Sequence, residues 1–373
     1  MKIVLLSAAS SIHTVRWANG LDSIGHEIHV ISQHPLIDSF NPTVKVHLLP
    51  YRGALGYFTS VFSVKKLLKK INPHIVNAHY ASGYATTARL VGYHPWLLSV
   101  WGSDIYDFPN KTYIHKWLVQ KNLRAADHVA STSYCMATET RKLVPELNDI
   151  SITPFGVNLN DYSDLQPVSP IQKEKLVIGT VKTMKPKYGI DTLIEAYSIL
   201  IKRFRDNTDN LKPAIPLLEL RLVGGGEQTK QLQLLATNLG ISDSVKFVGQ
   251  VPHSHVPKEL EKLDIYVALS RLDSESFGVA IVEASASGRP VIVSDAGGLP
   301  EVTVDGETGI IVPRDNPIAA ADALEKLILN PELRHSMGIN GRLHAAKYYS
   351  WDQCIYTMLD VYQKTIQHYK YRL

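Results

Sequence analysis

The 373-residue sequence has only two cysteines, Cys135 and Cys354, and no run of about 20 apolar residues that could span a membrane. Two thiols so far apart form neither a disulfide framework nor a zinc knuckle. The apolar run at residues 2–6 is too short for the core of a signal peptide. We therefore expect a cytoplasmic protein without a stabilising disulfide.

The sequence also lacks a dense basic stripe, although its formal net charge is +4 and its pI is about 8.8. The excess lies in residues 1–165, where 15 Lys and Arg face 11 Asp and Glu, whereas the remainder is balanced at 24 to 24. This imbalance is too mild for a nucleic-acid-binding protein. It suits a surface that meets phosphates or an anionic bilayer.

Short apolar runs alternate with helical patterns, which is typical of α/β domains with parallel sheets. Strands are predicted at 2–8, 27–32, 44–49, 74–78, 96–100 and 127–132, and then at 176–180, 217–223, 245–248, 264–269, 290–294 and 309–312. Helices are predicted at 13–24, 55–71, 82–92, 111–126, 134–144 and 189–204, and from 331 nearly to the end. Polar residues and two prolines predict a linker at 158–170 and a surface loop at 205–216.

Two such domains are expected to face each other across a cleft. In open α/β sheets, ligands bind beyond the carboxyl ends of the strands. The loops that follow the strands are therefore the segments in which to look for functional residues.

The segment 274–283 in the second half combines two carboxylates with the predicted start of a helix. Ser274 or Ser276 can cap this helix, which leaves the amides of Phe277, Gly278 and Val279 free to bind an anion or a hydroxyl. Glu275 and Glu283 are eight residues apart, about 12 Å along a helix, which suits one for a sugar and the other for a ribose. The alternative is a capping carboxylate and a surface ion pair.

Three further loops carry residues suited to a nucleotide diphosphate. Lys182 and Lys187 follow one strand and can neutralise a departing diphosphate, although they can equally be solvated loop charges. Gly224 and Gly225 allow the backbone to approach a phosphate, although a tight turn explains them as well. Val251 follows another strand, where the backbone can meet the edge of a base.

The order of these segments resembles that of retaining glycosyltransferase family 4. The resemblance covers most of residues 170–350 and rests on these pieces: Lys182…Lys187-Tyr-Gly189, Val223-Gly-Gly-Gly, Val245-Lys-Phe-Val-Gly249, Glu275-Ser-Phe-Gly…Glu283-Ala, Ala286-Ser-Gly288-Arg-Pro-Val291, Gly297-Gly298-Leu-Pro-Glu301 and Asp305-Gly-Glu-Thr-Gly309. A weaker likeness occurs at Thr153-Pro-Phe-Gly156-Val-Asn158.

The resemblance implies the GT-B fold, in which two Rossmann-like domains occupy residues 1–165 and 170–350, with a final helix at about 352–373 packing back on the first. It implies that Glu275 contacts the donor sugar with the backbone of Phe277 and Gly278, and that Glu283 binds ribose. Lys182 and Lys187 are then expected to hold the diphosphate. The family usually has arginine at the position of Lys182, so the charge is kept but the bidentate fork is lost.

The first half offers polar residues after three predicted strands. Ser11 and His13 stand where the family commonly has paired glycines; they can face the donor or the acceptor, or Ser11 can cap a helix. His79 is an acceptor-side candidate or a packed core histidine. Trp101 occupies a position where many relatives have histidine; since tryptophan cannot accept a proton, that role is either absent or has moved to Asp104, beside Ser103. The alternative for Asp104 is a helix cap.

The segment 57–70 joins Phe58, Val61, Phe62, Val64, Leu67 and Leu68 to Lys65, Lys66, Lys69 and Lys70. A solvated helix that packs its apolar side on the sheet explains this pattern. The functional interpretation is peripheral contact with anionic lipids on the inner face of the plasma membrane.

Together these patterns predict a metal-independent glycosyltransferase, and the family resemblance implies that it acts with retention of configuration. No Asp-x-Asp metal motif occurs. The donor is expected to be a nucleotide sugar, UDP-linked in preference to GDP-linked, with no separate cofactor, and the acceptor a glycan or a lipid-linked sugar. A sugar-nucleotide epimerase of the same architecture and a non-catalytic nucleotide-sugar sensor remain the alternatives.

Overall fold

The computed structural model describes residues 1–36, 39–206 and 216–372. The chain forms two compact units, each built on a parallel sheet. Most of the loop predicted at 205–216 lies outside the described residues.

The first unit contains a seven-stranded sheet in the order β3-β2-β1-β4-β5-β6-β7. Its strands are β1 Lys2–Leu6, β2 Glu27–Ser32, β3 Lys45–Leu48, β4 Ile75–His79, β5 Trp96–Val100, β6 His128–Ser131 and β7 Ile150–Ile152. Its first seven helices are α1 Ile12–Ser23, α2 Gly53–Thr59, α3 Val61–Ile71, α4 Gly83–Val91, α5 Ser103–Tyr106, α6 Tyr113–Ala125 and α7 Tyr134–Leu143. The central strands β4 and β5 are buried along their whole length, as expected of a sheet covered on both faces.

The second unit contains a six-stranded sheet in the order β10-β9-β8-β11-β12-β13. Its strands are β8 Lys175–Val181, β9 Leu217–Val223, β10 Val245–Gly249, β11 Ile265–Ala268, β12 Val291–Ser294 and β13 Gly309–Val312. Its helices are α8 Ile190–Asp206, α9 Thr229–Asn238, α10 Val256–Glu261, α11 Val279–Ala286, α12 Pro317–Leu329 and α13 Pro331–Tyr349. In α8 the buried residues Leu193, Tyr197 and Leu200 recur at helical spacing and pack on this sheet.

The last helix, α14 Trp351–Arg372, belongs to the first unit. Its Tyr362 is fully buried and receives a hydrogen bond of 2.9 Å from the amide of Asn77 on β4. Ser350 separates α14 from α13, so the helix predicted from residue 331 onward is two helices.

The linker predicted at 158–170 needs correction, because this segment is anchored within the second unit, which begins at Gly156. The guanidinium of Arg342 donates to the carbonyl oxygen of Leu165 at 2.6 Å, and the amide of Val168 donates to that of Gly288 at 3.3 Å. Leu165 and Val168 are themselves buried. Prolines and polar residues here mark an irregular but packed segment.

Smaller differences concern single elements. The helix predicted at 55–71 is divided at Ser60 into α2 and α3. Sequence periodicity missed β7, α9, α10 and α12, most of which are short. For α12 a signal was present, since Asn316 caps the helix by accepting from the amide of Ala319 at 3.0 Å, just before Pro317.

Candidate functional site

The carboxyl ends of β8 and β11 meet where the strand order of the second sheet reverses its direction. Open parallel sheets bind ligands beyond the strand ends at such a point. Lys182 directly follows β8, and Glu275 lies in the loop between β11 and α11. The Nζ of Lys182 donates to Oε1 of Glu275 at 2.7 Å, and the two side chains are only 17% and 11% exposed. Two of the predicted catalytic residues therefore form one ion pair that is largely, though not fully, buried.

The ion pair keeps Lys182 charged. Burial by itself lowers the pKa of a lysine, but the negative charge of Glu275, followed by Tyr266 and Tyr188, outweighs it and raises the pKa of Lys182 above its usual value. Buried ion pairs contribute little to stability, because the loss of hydration offsets the attraction between the charges. A buried lysine–glutamate pair at a ligand-binding edge is therefore better explained by function.

Tyr188 joins the second predicted lysine to the first. Its ring centroid lies 4.6 Å from the Nζ of Lys182 and 4.8 Å from that of Lys187. The backbone amide of Arg271 donates to the carbonyl oxygen of Lys187 at 2.8 Å, and the Arg271 guanidinium pairs with Asp191 at 2.8 Å. Sequence reasoning assigned no role to Tyr188 or Arg271, although Tyr188 stands inside the quoted Lys187-Tyr-Gly189 segment.

The glycines in the turn after β9 differ in their surroundings. A Cβ on Gly224, whose φ is +134°, would collide with the carbonyl oxygen of Lys182, and one on Gly226 would collide with that of Met184. These two glycines let the loops after β8 and β9 pack against each other. A Cβ on Gly225 would meet nothing nearer than Gln250 at 3.9 Å. Of the three glycines in this turn, Gly225 is therefore the one that has open space beside it.

A cavity of about 230 Å³ adjoins these loops. Four of the predicted donor-site residues line it: Lys182, Gly224, Gly225 and Val251. Thr183, Gln250 and Val256 complete much of its wall. The structure thus gathers loops from β8, β9 and β10 around one cavity of mixed polar and apolar lining, to which Lys182 of the ion pair contributes.

The start of α11 differs from the prediction. Neither Ser274 nor Ser276 caps the helix; the N-cap is Gly278, which has a left-handed φ of +97°. Hydrogen bonds from the segment after β12 hold the loop before Gly278 in place. The amide of Gly298 donates to the carbonyl oxygen of Glu275 at 2.9 Å, and the amide of Gly297 donates to the carboxylate of Asp273 at 3.1 Å. The residue that precedes α11 has a left-handed backbone conformation, which glycine adopts freely and serine does not. Gly278 therefore stands at the position predicted for a capping serine.

Phe277 and Val279 flank this turn, and Phe277 is buried edge-on against Tyr349, with ring centroids 5.6 Å apart. Glu283 lies farther along α11 and is 7% exposed. The Nε2 of His253 lies 3.6 Å from Oε1 of Glu283. Sequence reasoning did not single out His253, since nothing in the pattern links the segment after β10 to α11.

In the first unit, β1 and β4 are neighbours at the corresponding reversal of strand order. His13 in α1 stacks on Phe155 with ring centroids 4.0 Å apart and meets Trp101 edge-on at 5.9 Å. The ring of His79, at the end of β4, lies 4.1 Å from that of Trp101. Three predicted acceptor-side residues thus share one aromatic cluster, to which the structure adds Phe155.

His79 is fully buried within this cluster. Its Nδ1 lies 2.8 Å from the hydroxyl of Ser7, whereas its Nε2 has no hydrogen-bond partner among the described residues. Burial, with a smaller contribution from the charge of His13, lowers the pKa of His79 to about 3. His79 is therefore a neutral imidazole at physiological pH.

Asp104 is placed differently from a group that meets an acceptor, because it is only 1% exposed. Its carboxylate accepts hydrogen bonds from the backbone amides of Ala81 at 2.7 Å, Gly102 at 2.9 Å and Trp101 at 3.2 Å. Burial raises the pKa of Asp104, although these amides act in the opposite direction. The geometry favours a structural role, in which Asp104 ties the loop after β5 to the loop after β4.

The two predicted serines lie at helix starts. Ser11 is the N-cap residue of α1, but its side chain makes no capping hydrogen bond. Ser103 opens the short helix α5 and is exposed. Both hydroxyls lie beside the loops that follow β1 and β5.

Comparison with known families places both halves among glycosyltransferases. Residues 161–344 match the family model "Glycosyl transferases group 1", and residues 2–133 match the model "Glycosyl transferase 4-like". Each half of the chain is thus similar to a glycosyltransferase family model.

The curated relatives of the chain are also named as glycosyltransferases. Over 183 residues the chain is 31% identical to a GDP-mannose-dependent α-(1-6)-phosphatidylinositol monomannoside mannosyltransferase of Mycolicibacterium smegmatis, covering 48% of this chain and 45% of that protein. It is 34% identical to a D-inositol 3-phosphate glycosyltransferase of Corynebacterium jeikeium, covering 62% and 53%. The chain thus spans about half the length of these two relatives. An uncharacterized glycosyltransferase of Methanocaldococcus jannaschii is 24% identical and is matched over 90% of its length.

Two solved structures share the fold. Sucrose-phosphate synthase from Thermosynechococcus elongatus has a TM-score of 0.80 at 20% identity, covering 98% of each chain. The protein HepE of Anabaena, solved with UDP and glucose, has a TM-score of 0.76 at 18% identity, covering 98% of this chain and 100% of that one. The fold is therefore the GT-B type with two Rossmann-like domains.

Proposed function

We propose that this chain, both halves of which match glycosyltransferase models, transfers a sugar from a nucleoside diphosphate sugar to a glycan or lipid-linked acceptor with retention of configuration. The observation that carries the proposal is the buried Lys182–Glu275 pair at the ligand-binding edge of the second sheet. It unites a cation suited to a phosphate with a carboxylate suited to sugar hydroxyls, next to a cavity lined by Gly224 and Gly225.

In this proposal the acceptor hydroxyl attacks the anomeric carbon from the face on which the diphosphate leaves. The bond between that carbon and the β-phosphate oxygen breaks, and the acceptor proton passes to the departing phosphate. Lys182 and Lys187 stabilise the negative charge that develops on the leaving group. Glu275 accepts hydrogen bonds from the sugar, and Glu283 accepts them from the ribose.

The donor is a UDP-sugar in our proposal, with GDP-mannose as the competitor to exclude. HepE, which shares the fold, was solved with UDP, whereas the mycobacterial relative is named for GDP-mannose. That relative is also named for a lipid acceptor, phosphatidylinositol monomannoside, which supports a lipid-linked sugar as the acceptor here.

A panel of UDP- and GDP-sugars, incubated with the full chain and phosphatidylinositol or glycolipid acceptors, tests the proposal. We expect release of the nucleoside diphosphate that depends on the acceptor and is lost in Lys187→Ala. Donor binding without turnover would instead identify a sensor, and interconversion of the sugar without an acceptor would identify an epimerase.

A basic face of the first unit, formed by α2, α3, α4 and α6, supports peripheral contact with an anionic bilayer. Residues 39–103 contain no Asp or Glu, and neither does α6. Lys65, Lys66, Lys69 and Lys70 are all exposed on α3. The charge of this face complements anionic phospholipid headgroups.

The same face exposes large apolar side chains. Val64 and Leu68 of α3 are buried on the sheet, but Phe62 is 85% exposed, and Leu55 of α2 is 76% exposed. Tyr113 and Ile114 of α6 are 93% and 75% exposed. Since α4 packs against α2, α3 and α6, these side chains belong to one continuous helical layer. Exposed apolar residues among lysines are typical of a helix that lies in the membrane interface.

Within the described part of the chain, no helix combines the length and the apolar character that crossing a membrane requires.

A further inference from the structure

His128, Asp149 and His368 come together at the amino ends of the strands of the first sheet, whereas His79 lies at the carboxyl end of a strand of the same sheet. His128 is the first residue of β6, so it lies at the amino end of a parallel strand, whereas the candidate site follows the carboxyl ends. Asp149 directly precedes β7, and His368 lies in α14. One side-chain nitrogen or oxygen from each residue lies within 4.8 Å of the other two.

We propose that His128, Asp149 and His368 form a binding site for a divalent transition metal, with Zn²⁺ as the preferred ion. Two imidazoles and one carboxylate are a donor set that suits Zn²⁺ and not the hard ions Mg²⁺ and Ca²⁺. The two imidazole rings meet edge to face with centroids 5.8 Å apart. Closing three ligand atoms around zinc, at about 2.0–2.2 Å each, requires side-chain shifts of only about 1 Å.

The surroundings of the cluster allow a metal to enter. The side chain of Asp149 is 54% exposed, which gives an ion access from solvent, whereas His128 is buried and fixed in place. The hydroxyl of Ser151 lies 2.8 Å from Nε2 of His128 and orients the ring. Solvent can supply the remaining coordination position.

The three ligands come from distant parts of the chain. Binding a metal therefore ties α14 to β6 and to the turn before β7. A metal that binds the folded chain and not the unfolded chain stabilises the fold by mass action. The site is structural, because within the first unit it lies at the opposite end of the strands from the loops that carry Ser11, His79 and Trp101.

Lys364 provides a distinctive test of the site. Its ammonium group donates to Oδ2 of Asp149 at 2.7 Å, where it competes with a metal cation for the same carboxylate. Removing this ammonium should therefore tighten metal binding, whereas removing a ligand should weaken it. A nonspecific surface site would not respond in opposite directions.

The experiment is calorimetric titration of Zn²⁺ into the full chain without a histidine tag, with thermal melts in zinc and in chelator. We expect one zinc ion per chain and a higher melting temperature with zinc. His368→Gln and Asp149→Asn should each weaken binding at least about 10-fold. Lys364→Gln should tighten it, and His115→Gln, a control in the same unit, should leave it unchanged.

Exposed ligands are chosen because replacing the buried His128 can disturb folding. The proposal is overturned if the parent binds no zinc, or if His368→Gln and Asp149→Asn bind it as the parent does. Binding that survives both substitutions would place the zinc elsewhere, for example on a cysteine.

Discussion

Lys182 and Lys187 are held by different contacts, although both lie near the ring of Tyr188. Lys182 is in a buried ion pair with Glu275, whereas Lys187 sits half-buried on a short 3₁₀ turn. The two lysines should therefore respond differently to substitution in stability, even if they act together on the leaving group.

We expect Lys187→Ala to raise the activation barrier by about 2–4 kcal/mol without lowering the melting temperature, because a preorganised charge contact is lost. Lys182→Ala should lose similar activity and also melt earlier, since Glu275 is left as a buried charge without its cation. Steady-state kinetics and thermal melts measure both effects. Lys185→Ala, an exposed neighbour, is the matched control. Near-parent turnover in both variants would remove the diphosphate assignment.

Substitution of Asp104 distinguishes a structural role of its carboxylate from a catalytic one. In Asp104→Asn the side-chain NH₂ cannot accept a backbone amide, so we expect a loss of about 1–3 kcal/mol in unfolding free energy. Transfer per folded molecule should stay near that of the parent. Denaturant unfolding and kinetics test this, with Asp107→Asn as an exposed control. A variant that folds normally but transfers about 10²-fold more slowly would restore the catalytic role predicted from the sequence.

His79 should make stability depend on pH. Its pKa is about 3 in the folded state, whereas an unfolded histidine titrates near 6.5. Below pH 6.5 the unfolded chain takes up a proton that the folded chain does not. Its contribution is therefore intact above pH 6.5 and is lost as the pH falls toward 3, by at most about 1.4 kcal/mol per pH unit.

Unfolding free energies of the parent and His79→Gln, measured from pH 7 to pH 4.5, check this expectation. The variant should have the shallower pH dependence, while His115→Gln should follow the parent. Equal slopes in His79→Gln and the parent would show that the ring takes up a proton over the same pH range in the folded and the unfolded chain.

At the scale of elements, α3 packs one of its sides on the sheet and exposes the other to solvent. Its buried residues hold it on the sheet, and its lysines lie on the opposite, exposed side. The packing interpretation and the lipid interpretation of this segment therefore concern different residues of the same helix.

Replacing Lys65, Lys66, Lys69 and Lys70 together by Gln should weaken binding to vesicles containing anionic phospholipid, by about 1 kcal/mol per residue. Co-sedimentation with such vesicles measures this, and turnover on a soluble acceptor should persist. A variant with Lys202, Lys230, Lys246 and Lys258 of the second unit changed to Gln loses the same four charges and controls for net charge. Equal vesicle binding by parent and variant would leave α3 with its packing role alone.

At the scale of the whole molecule, the proposed chemistry makes a stereochemical prediction. The product should keep the anomeric configuration of the donor sugar, and activity should survive EDTA, since lysines take the place of a metal at the leaving group. NMR of the purified product reports the configuration. An inverted product would contradict retention, and activity lost in EDTA but restored by Mn²⁺ would contradict metal independence.

The sequence by itself determined the class of fold and most of the strands. Strands of parallel sheets are short runs rich in apolar residues, so β2, β5, β9 and β13 were predicted with the bounds that the structure has. It also predicted which loops of the second unit to examine, because lysines and glycines follow the strand ends there, although solvated charges and tight turns explain them as well. The likeness of both halves to glycosyltransferase models agrees with that interpretation.

Only the tertiary structure decided which partner each side chain has. The pairing of Lys182 with Glu275 joins residues 93 positions apart, and the burial of Asp104 depends on an amide from the neighbouring loop. The packing of 158–170 on the second unit likewise depends on Arg342, far along the chain. Local patterns record how a segment folds, but contacts between distant segments are set by how the sheets bring them together, and no local pattern encodes that.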